Sequence, residues 1–142
     1  MARSILVAMD DSPLGRRALA YALETFPDAH LVAAHVAYLE YDMLPTDTPE
    51  VYEAAVDELD EVGDETAQRV FEAIKEMADD GAVTVSFLTG EPEERLVEYV
   101  DSAGFDGVVM GTHGRDGVAR LFIGSVAEAV VRKTDVPTTL VK

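Results

Sequence analysis

The residues best suited to chemistry gather in one stretch, GTHGRDGVARLFIGS, residues 111–125. Gly111, Gly114 and Gly124, with Gly117 between them, stand between an apolar run and a helical pattern. Glycine is used where φ must be positive or where a ligand or another backbone must come close. The N–H groups of Gly111, Gly114 and Gly124 can then point at an anion with no Cβ in the way. Ser125 and Val126 open a helix, whose unpaired N–H groups and dipole favour the same anion. The expected chemistry is phosphate binding. Ser125 and Glu128 also have the S-x-x-E spacing of a capping box, which competes for those amides. The upstream glycines favour phosphate, with Ser125 serving both roles.

Other routes to chemistry are thin. There is no G-x-x-x-x-G-K-[ST], and the first strand is followed by DDSPLG rather than G-x-G-x-x-G. The chain has no cysteine, which removes thiolate catalysis, disulfides and cysteine metal sites. His113 lies in the loop without a Ser/His/Asp set or metal-ligand spacing around it, and reads as a hydrogen-bonding group rather than a base. Asp10 could cap the next helix, but Ser12 is the better cap, so Asp10 is assigned to a ligand. Asp10 and Asp11 are the only adjacent acids at that strand end, and neighbours on a strand point apart. No catalytic residue is assigned. Arg115 and Arg120 could supply counter-charge, since guanidinium matches phosphate oxygens; Arg115, inside the glycine pattern, is preferred. The His35 side chain sits in an apolar run and reads as a core or pocket-wall group.

These residues need a scaffold. Five apolar runs read as strands: SILVAM (4–9), LVAAHVA (31–37), AVTVSFL (82–88), DGVVMG (106–111) and PTTLVK (137–142). Between them lie helical patterns. The first runs from Leu14 to Phe26, with Leu14, Ala18, Ala22 and Phe26 four apart, and Ser12-Pro13 is a good start for it. A long helix is expected over about 50–79, with Ala67, Val70, Phe71, Ile74, Met77 and Ala78 on one side and the acidic DELDEVGDE exposed. Pro92 opens a third helix, with Leu96, Val97 and Val100 inward and Glu93 and Glu94 at its positive end. The fourth starts near Ser125 and ends at Arg132 and Lys133. Alternating strands and helices imply a parallel α/β sheet with helices on both faces. The continuous runs belong in the middle and the polar third and fifth strands at the edges. Strand order 3-2-1-4-5 follows with right-handed crossovers. Winding then reverses between strands one and four, and ligands bind in the crevice there. Asp10 and Gly111 end those two strands. Residues 38–50 read as a loop.

The 142 residues are 48% apolar, which suits a single domain, 1–142, with one well-filled core. Asp and Glu number 28 against 11 Lys and Arg, for a formal charge of −17. That charge repels nucleic acid and anionic membranes. The acids are spread along the chain and only three lysines occur, the pattern of a solvated, salt-adapted acidic surface. The apolar stretch of the N-terminus is too short for a span or a secretory leader. A cytoplasmic location is expected. The fifth strand carries no charge but Lys142, and an open edge pairs with another chain unless blocked. A two-fold antiparallel pairing between Pro137 and Val141 would give a homodimer.

The pattern Gly111-x2-Gly114-x9-Gly124-Ser125 resembles the signature of the universal stress protein family, in its ATP-binding branch. ILVAMDDSPLGRRAL, GEPEERLVEYV, DGVVMGTHGR, GSVAEAVVRKTDVP and the last strand are similar to that family in order and spacing, so the resemblance spans the chain. It implies a 3-2-1-4-5 sheet of the adenine nucleotide alpha hydrolase type, a homodimer and bound ATP with Mg2+ held mainly by phosphate and water. By position, Asp10 would contact the nucleoside. The backbone around His35, Val36 and Ala37 would line the adenine pocket. Met110 and Gly111 would flank the ribose, and His113, Gly114, Arg115, Gly124, Ser125 and Val126 would hold the triphosphate. Asp11 departs from the small residue common there, and residues 38–50 match nothing in the pattern. The implied function is ATP-binding stress response or regulation, with at most slow hydrolysis. The alternative is a nucleotide-free acidic dimer acting as an interaction module, as for relatives that lack the glycines this chain keeps.

Overall fold

The computed structural model describes residues 3–10, 12–37, 51–54, 65–79, 81–112 and 124–142. Among these residues, six strands and four helices follow in the order β1 (Ser4–Ala8), α1 (Pro13–Thr25), β2 (His30–Ala37), β3 (Val51–Ala54), α2 (Glu65–Met77), β4 (Val83–Thr89), α3 (Pro92–Ala103), β5 (Gly107–Gly111), α4 (Ser125–Lys133) and β6 (Thr138–Val141). The sheet order is β3-β4-β2-β1-β5-β6. Its five parallel strands, β4-β2-β1-β5-β6, are the expected 3-2-1-4-5.

Two-sided burial explains the continuous apolar runs. On one face, Ile5, Val7, Leu31, Ala33, Val85 and Val109 pack with Ala18, Leu19 and Ala22 of α1 and Val70, Phe71 and Ile74 of α2. On the other, Leu6, Val32, Ala34, Leu88, Val108 and Met110 pack with Leu96, Tyr99 and Val100 of α3 and Ala127 and Val130 of α4. Successive residues of β1 thus feed opposite layers, as the pleat requires. Leu6 and Val7 are both fully buried, and each contributes about 1.5–3 kcal/mol of apolar transfer. Right-handed crossovers place α1 and α2 on one face and α3 and α4 on the other, because winding reverses between β1 and β5.

Two expectations are corrected. The helix expected from about residue 50 is not continuous: Val51–Ala54 is a strand, antiparallel to β4 with Val51 opposite Leu88, and α2 begins at Glu65. Most of the acidic DELDEVGDE stretch, residues 57–64, lies outside the described residues. The strand over 82–88 is the edge of the parallel set but not of the sheet. Its polar Ser86 is fully buried and hydrogen-bonded to the Tyr99 hydroxyl at 2.7 Å. A satisfied buried hydroxyl gives the same alternation as a solvent-facing one.

Candidate functional site

The candidate site lies where β1 and β5 end side by side. Ala8 is in register with Ala34 of β2 on one side and with Met110 of β5 on the other. Beyond Ala8, the Met9 N–H donates to Ala34 O at 2.7 Å, and His35 Nδ1 donates to Met9 O at 3.0 Å. The end of β2 therefore grips the last residue before Asp10 from both main-chain sides. The His35 side chain is buried, with its ring edge-on to Phe87 at 6.1 Å. Its side chain is a buried, hydrogen-bonded group of the core. Its neighbours Val36 and Ala37 complete β2 at the same crest.

Asp10 is half-buried beside the start of α1. Its Oδ1 accepts from the Ser12 N–H at 3.0 Å and from the Ser12 hydroxyl. Ser12 is also the N-cap of α1, with its Oγ accepting from the Gly15 N–H at 3.1 Å. Asp10 leads into the cap rather than replacing it, and Oδ2 has no partner among the described residues.

On the other side, Met110 and Gly111 close β5, and Thr112 leaves the sheet with its N–H on Val141 O at 3.0 Å. Residues 113–123, which include His113, Gly114, Arg115 and Arg120, lie outside the described residues. The chain re-enters at Gly124, whose N–H donates to Thr112 O at 2.6 Å. The two ends of the glycine stretch are thus tied together over the end of β5. Gly124 is the N-cap of α4, with φ −63° and ψ 158°, values open to any residue. Its own amide faces Thr112 and not the crevice. Among the described residues, the N–H groups of Ser125, Val126 and Ala127 have no acceptor at this helix start, since Glu128 N–H is the first to reach back, to Gly124 O at 2.9 Å.

The capping box expected from Ser125 and Glu128 does not form. Ser125 is the first helical residue rather than the cap, and it is exposed. Glu128 turns to Arg132, Oε1 to Nε 3.0 Å. The competition between cap and anion is therefore absent on the side-chain level. Sequence reasoning missed the Thr112–Gly124 tie and the Ser12 hold on Asp10. The Asp-x-Ser spacing of an Asx turn was the available signal for the second. No signal existed for the first, which joins two main-chain groups.

The described residues contain no group of three or more His, Asp or Glu able to hold a metal ion. No helix among them is long and apolar enough to cross a membrane.

The same architecture recurs in solved proteins. A universal stress protein in complex with cAMP superposes with a TM-score of 0.66 at 22% identity, covering 99% of this chain and 97% of that one. The universal stress protein from Archaeoglobus fulgidus in complex with dAMP gives 0.64 at 18% identity, covering 100% and 98%. In sequence, the universal stress protein MJ0531 of Methanocaldococcus jannaschii is 28% identical over 145 residues, covering 99% of this chain and 82% of that protein. The family model described as the universal stress protein family matches residues 1–142, from the first strand through the glycine stretch to the last. With that full-length match, the chain belongs to the universal stress protein family.

Proposed function

We propose that this protein is an ATP-binding stress-response or regulatory protein that acts as a homodimer and hydrolyses ATP slowly at most. One observation carries the reading: Asp10, the ends of β2 and β5, and the first amides of α4, which have no acceptor among the described residues, share one crest at the reversal of the sheet. A carboxylate and a helix N-terminus suit opposite ends of a nucleotide. Asp10 repels phosphate and accepts from neutral donors on the nucleoside. The amides of Ser125, Val126 and Ala127, with the positive end of the α4 dipole, attract the phosphates. Between them, the backbone at His35, Val36 and Ala37 lines the base, and Met110 and Gly111 flank the ribose. His113, Gly114 and Arg115 complete the phosphate side from the loop that Gly124 closes. Gly124 contributes by closing that loop over Thr112 rather than through its N–H. Mg2+ enters on the phosphates and their water shell.

Two relatives of the same fold are complexes with adenine mononucleotides, cAMP and dAMP, which supports an adenine nucleotide here. The choice of ATP rests on the glycine signature, which provides room for a polyphosphate. No activating base or Walker lysine accompanies it, so binding is favoured over turnover.

Mass spectrometry of small molecules released from the purified, denatured protein is expected to yield ATP. Release of no nucleotide, together with no binding of added ATP, would favour the acidic interaction module instead. Calorimetry on Gly114→Val is expected to show ATP binding lost in a folded protein. Normal affinity in that variant would remove the loop from the site.

A further inference from the structure

Resting on the nucleotide reading above, we infer that Ser12 and Gly15 are positioning residues for nucleoside recognition. They seat the Asp10 carboxylate so that Oδ2 accepts a hydrogen bond from the nucleoside.

The hydrogen-bond direction is fixed by the donors available. The Gly15 N–H can only donate, so the Ser12 oxygen accepts from it at 3.1 Å. The single Ser12 hydroxyl proton is then free for Asp10 Oδ1, which also takes the Ser12 N–H at 3.0 Å. Ser12 is only 2% exposed, so water does not compete for these bonds. An N-cap needs only the acceptor half of this arrangement. The donor half acts on Asp10 alone. It holds Oδ1 and leaves Oδ2 with no partner among the described residues.

Gly15 supplies the space. A Cβ there would lie 2.7 Å from Asp10 Oδ1, 2.8 Å from Asp10 O and 3.2 Å from Asp10 N. Two of those three atoms are main chain and cannot swing aside. Glycine inside a helix is less favourable than alanine. Helix propensity therefore argues against a glycine in the first turn of α1. The approach of Asp10 explains it.

A seated carboxylate selects its ligand atoms. It repels phosphate oxygens and accepts from a ribose hydroxyl or from the amino group of the base. Both are neutral donors of the same kind.

The test is calorimetry on the full-length protein with ATP and with inorganic tripolyphosphate. Ser12→Ala and Gly15→Ala are each expected to weaken ATP about tenfold, the effect of one hydrogen bond to a charged group. Tripolyphosphate affinity should stay unchanged, and Ser12→Thr should restore ATP. In an Asp10→Ala background, Ser12→Ala should add nothing further, because its route to the nucleotide is already gone. The analogue lacking the donor, among 2′-deoxy, 3′-deoxy and 6-amino-free nucleotides, should bind wild type and Asp10→Ala alike.

The inference is overturned if the Ser12→Ala and Asp10→Ala losses add in full. Equal loss of tripolyphosphate, or no analogue that erases the Asp10 effect, would overturn it too. If Gly15→Ala does not fold, the Ser12→Ala and Ser12→Thr pair decides alone. Wild type that binds ATP with variants unaffected overturns only this inference. Wild type that binds no nucleotide overturns the parent reading, and this one with it.

Discussion

Tyr99 shows how much one polar contact can matter in this core. Its ring stacks edge-on with Phe105 at 5.3 Å, and its hydroxyl meets Ser86 Oγ at 2.7 Å. Ser86 is fully buried in the middle of β4, so water cannot replace the tyrosine. Tyr99→Phe keeps the ring and strands the serine hydroxyl. Urea denaturation is expected to show a loss of about 1–2 kcal/mol, the penalty of an unsatisfied buried group. Adding Ser86→Ala to Tyr99→Phe should recover part of it, because the buried serine hydroxyl is then removed along with its partner. An equal or greater loss in the double variant would mean that the ring's packing, not the hydrogen bond, is what Ser86 senses. The same pair shows where a single sequence misleads. Thr84 and Ser86 alternate with Val83, Val85 and Phe87 as in a solvent-facing edge strand. The partner that buries and satisfies Ser86 comes from a helix 13 residues away, and spacing rules carry no record of it.

At the scale of elements, α4 is the one whose start has chemical consequences. Its N-cap is a glycine with ψ 158°, a conformation that the residue before a proline readily adopts. The first helical position tolerates proline because its N–H has no helical partner. Ser125→Pro therefore removes one bare amide while keeping the helix. Melting temperature is expected to stay within a few degrees, with ATP affinity falling at least severalfold, as for loss of a charge-assisted bond. Ser125→Ala serves as the control for the hydroxyl. If Ser125→Pro binds ATP as wild type does, the helix start is not part of the phosphate site. Most elements were legible because period and burial agree in them. Pro13, Pro92 and Ser125 open helices as read, and Leu96 and Val100 are buried as their spacing requires. The exception is β3. Four residues, VYEA, are too few to display a period of two, and they stand beside acidic, helix-favouring sequence. Their strand conformation comes from antiparallel pairing with β4, a tertiary cause invisible in a local window. At the candidate site, the crest residues were legible because strand ends and topology locate them. The Ser12 and Gly15 contacts were not, because they depend on how closely α1 approaches β1.

At the scale of the whole molecule, the outer side of β6, which pairs with no other strand among the described residues, is the feature to explain. Val108 N–H donates to Pro137 O and Thr112 N–H to Val141 O, so residues 137, 139 and 141 turn their main-chain groups toward β5. By the alternation of a strand, Thr138 and Leu140 turn theirs outward. No side chain from Val136 to Lys142 is acidic, so the paired segments themselves bring no acidic side chains face to face in a chain of charge −17. A two-fold antiparallel union through these groups is the simplest way to satisfy both edges. Thr138→Pro tests it, since proline deletes an outward N–H and leaves the ladder to β5 untouched. Sedimentation is expected to show the dimer replaced by monomer, with circular dichroism unchanged. The crest from Asp10 to α4 is built within one chain, so ATP affinity should persist in that monomer. A Thr138→Pro variant that remains dimeric would move the interface away from β6, whereas one that turns monomeric and also loses ATP would mean that the second chain completes the site.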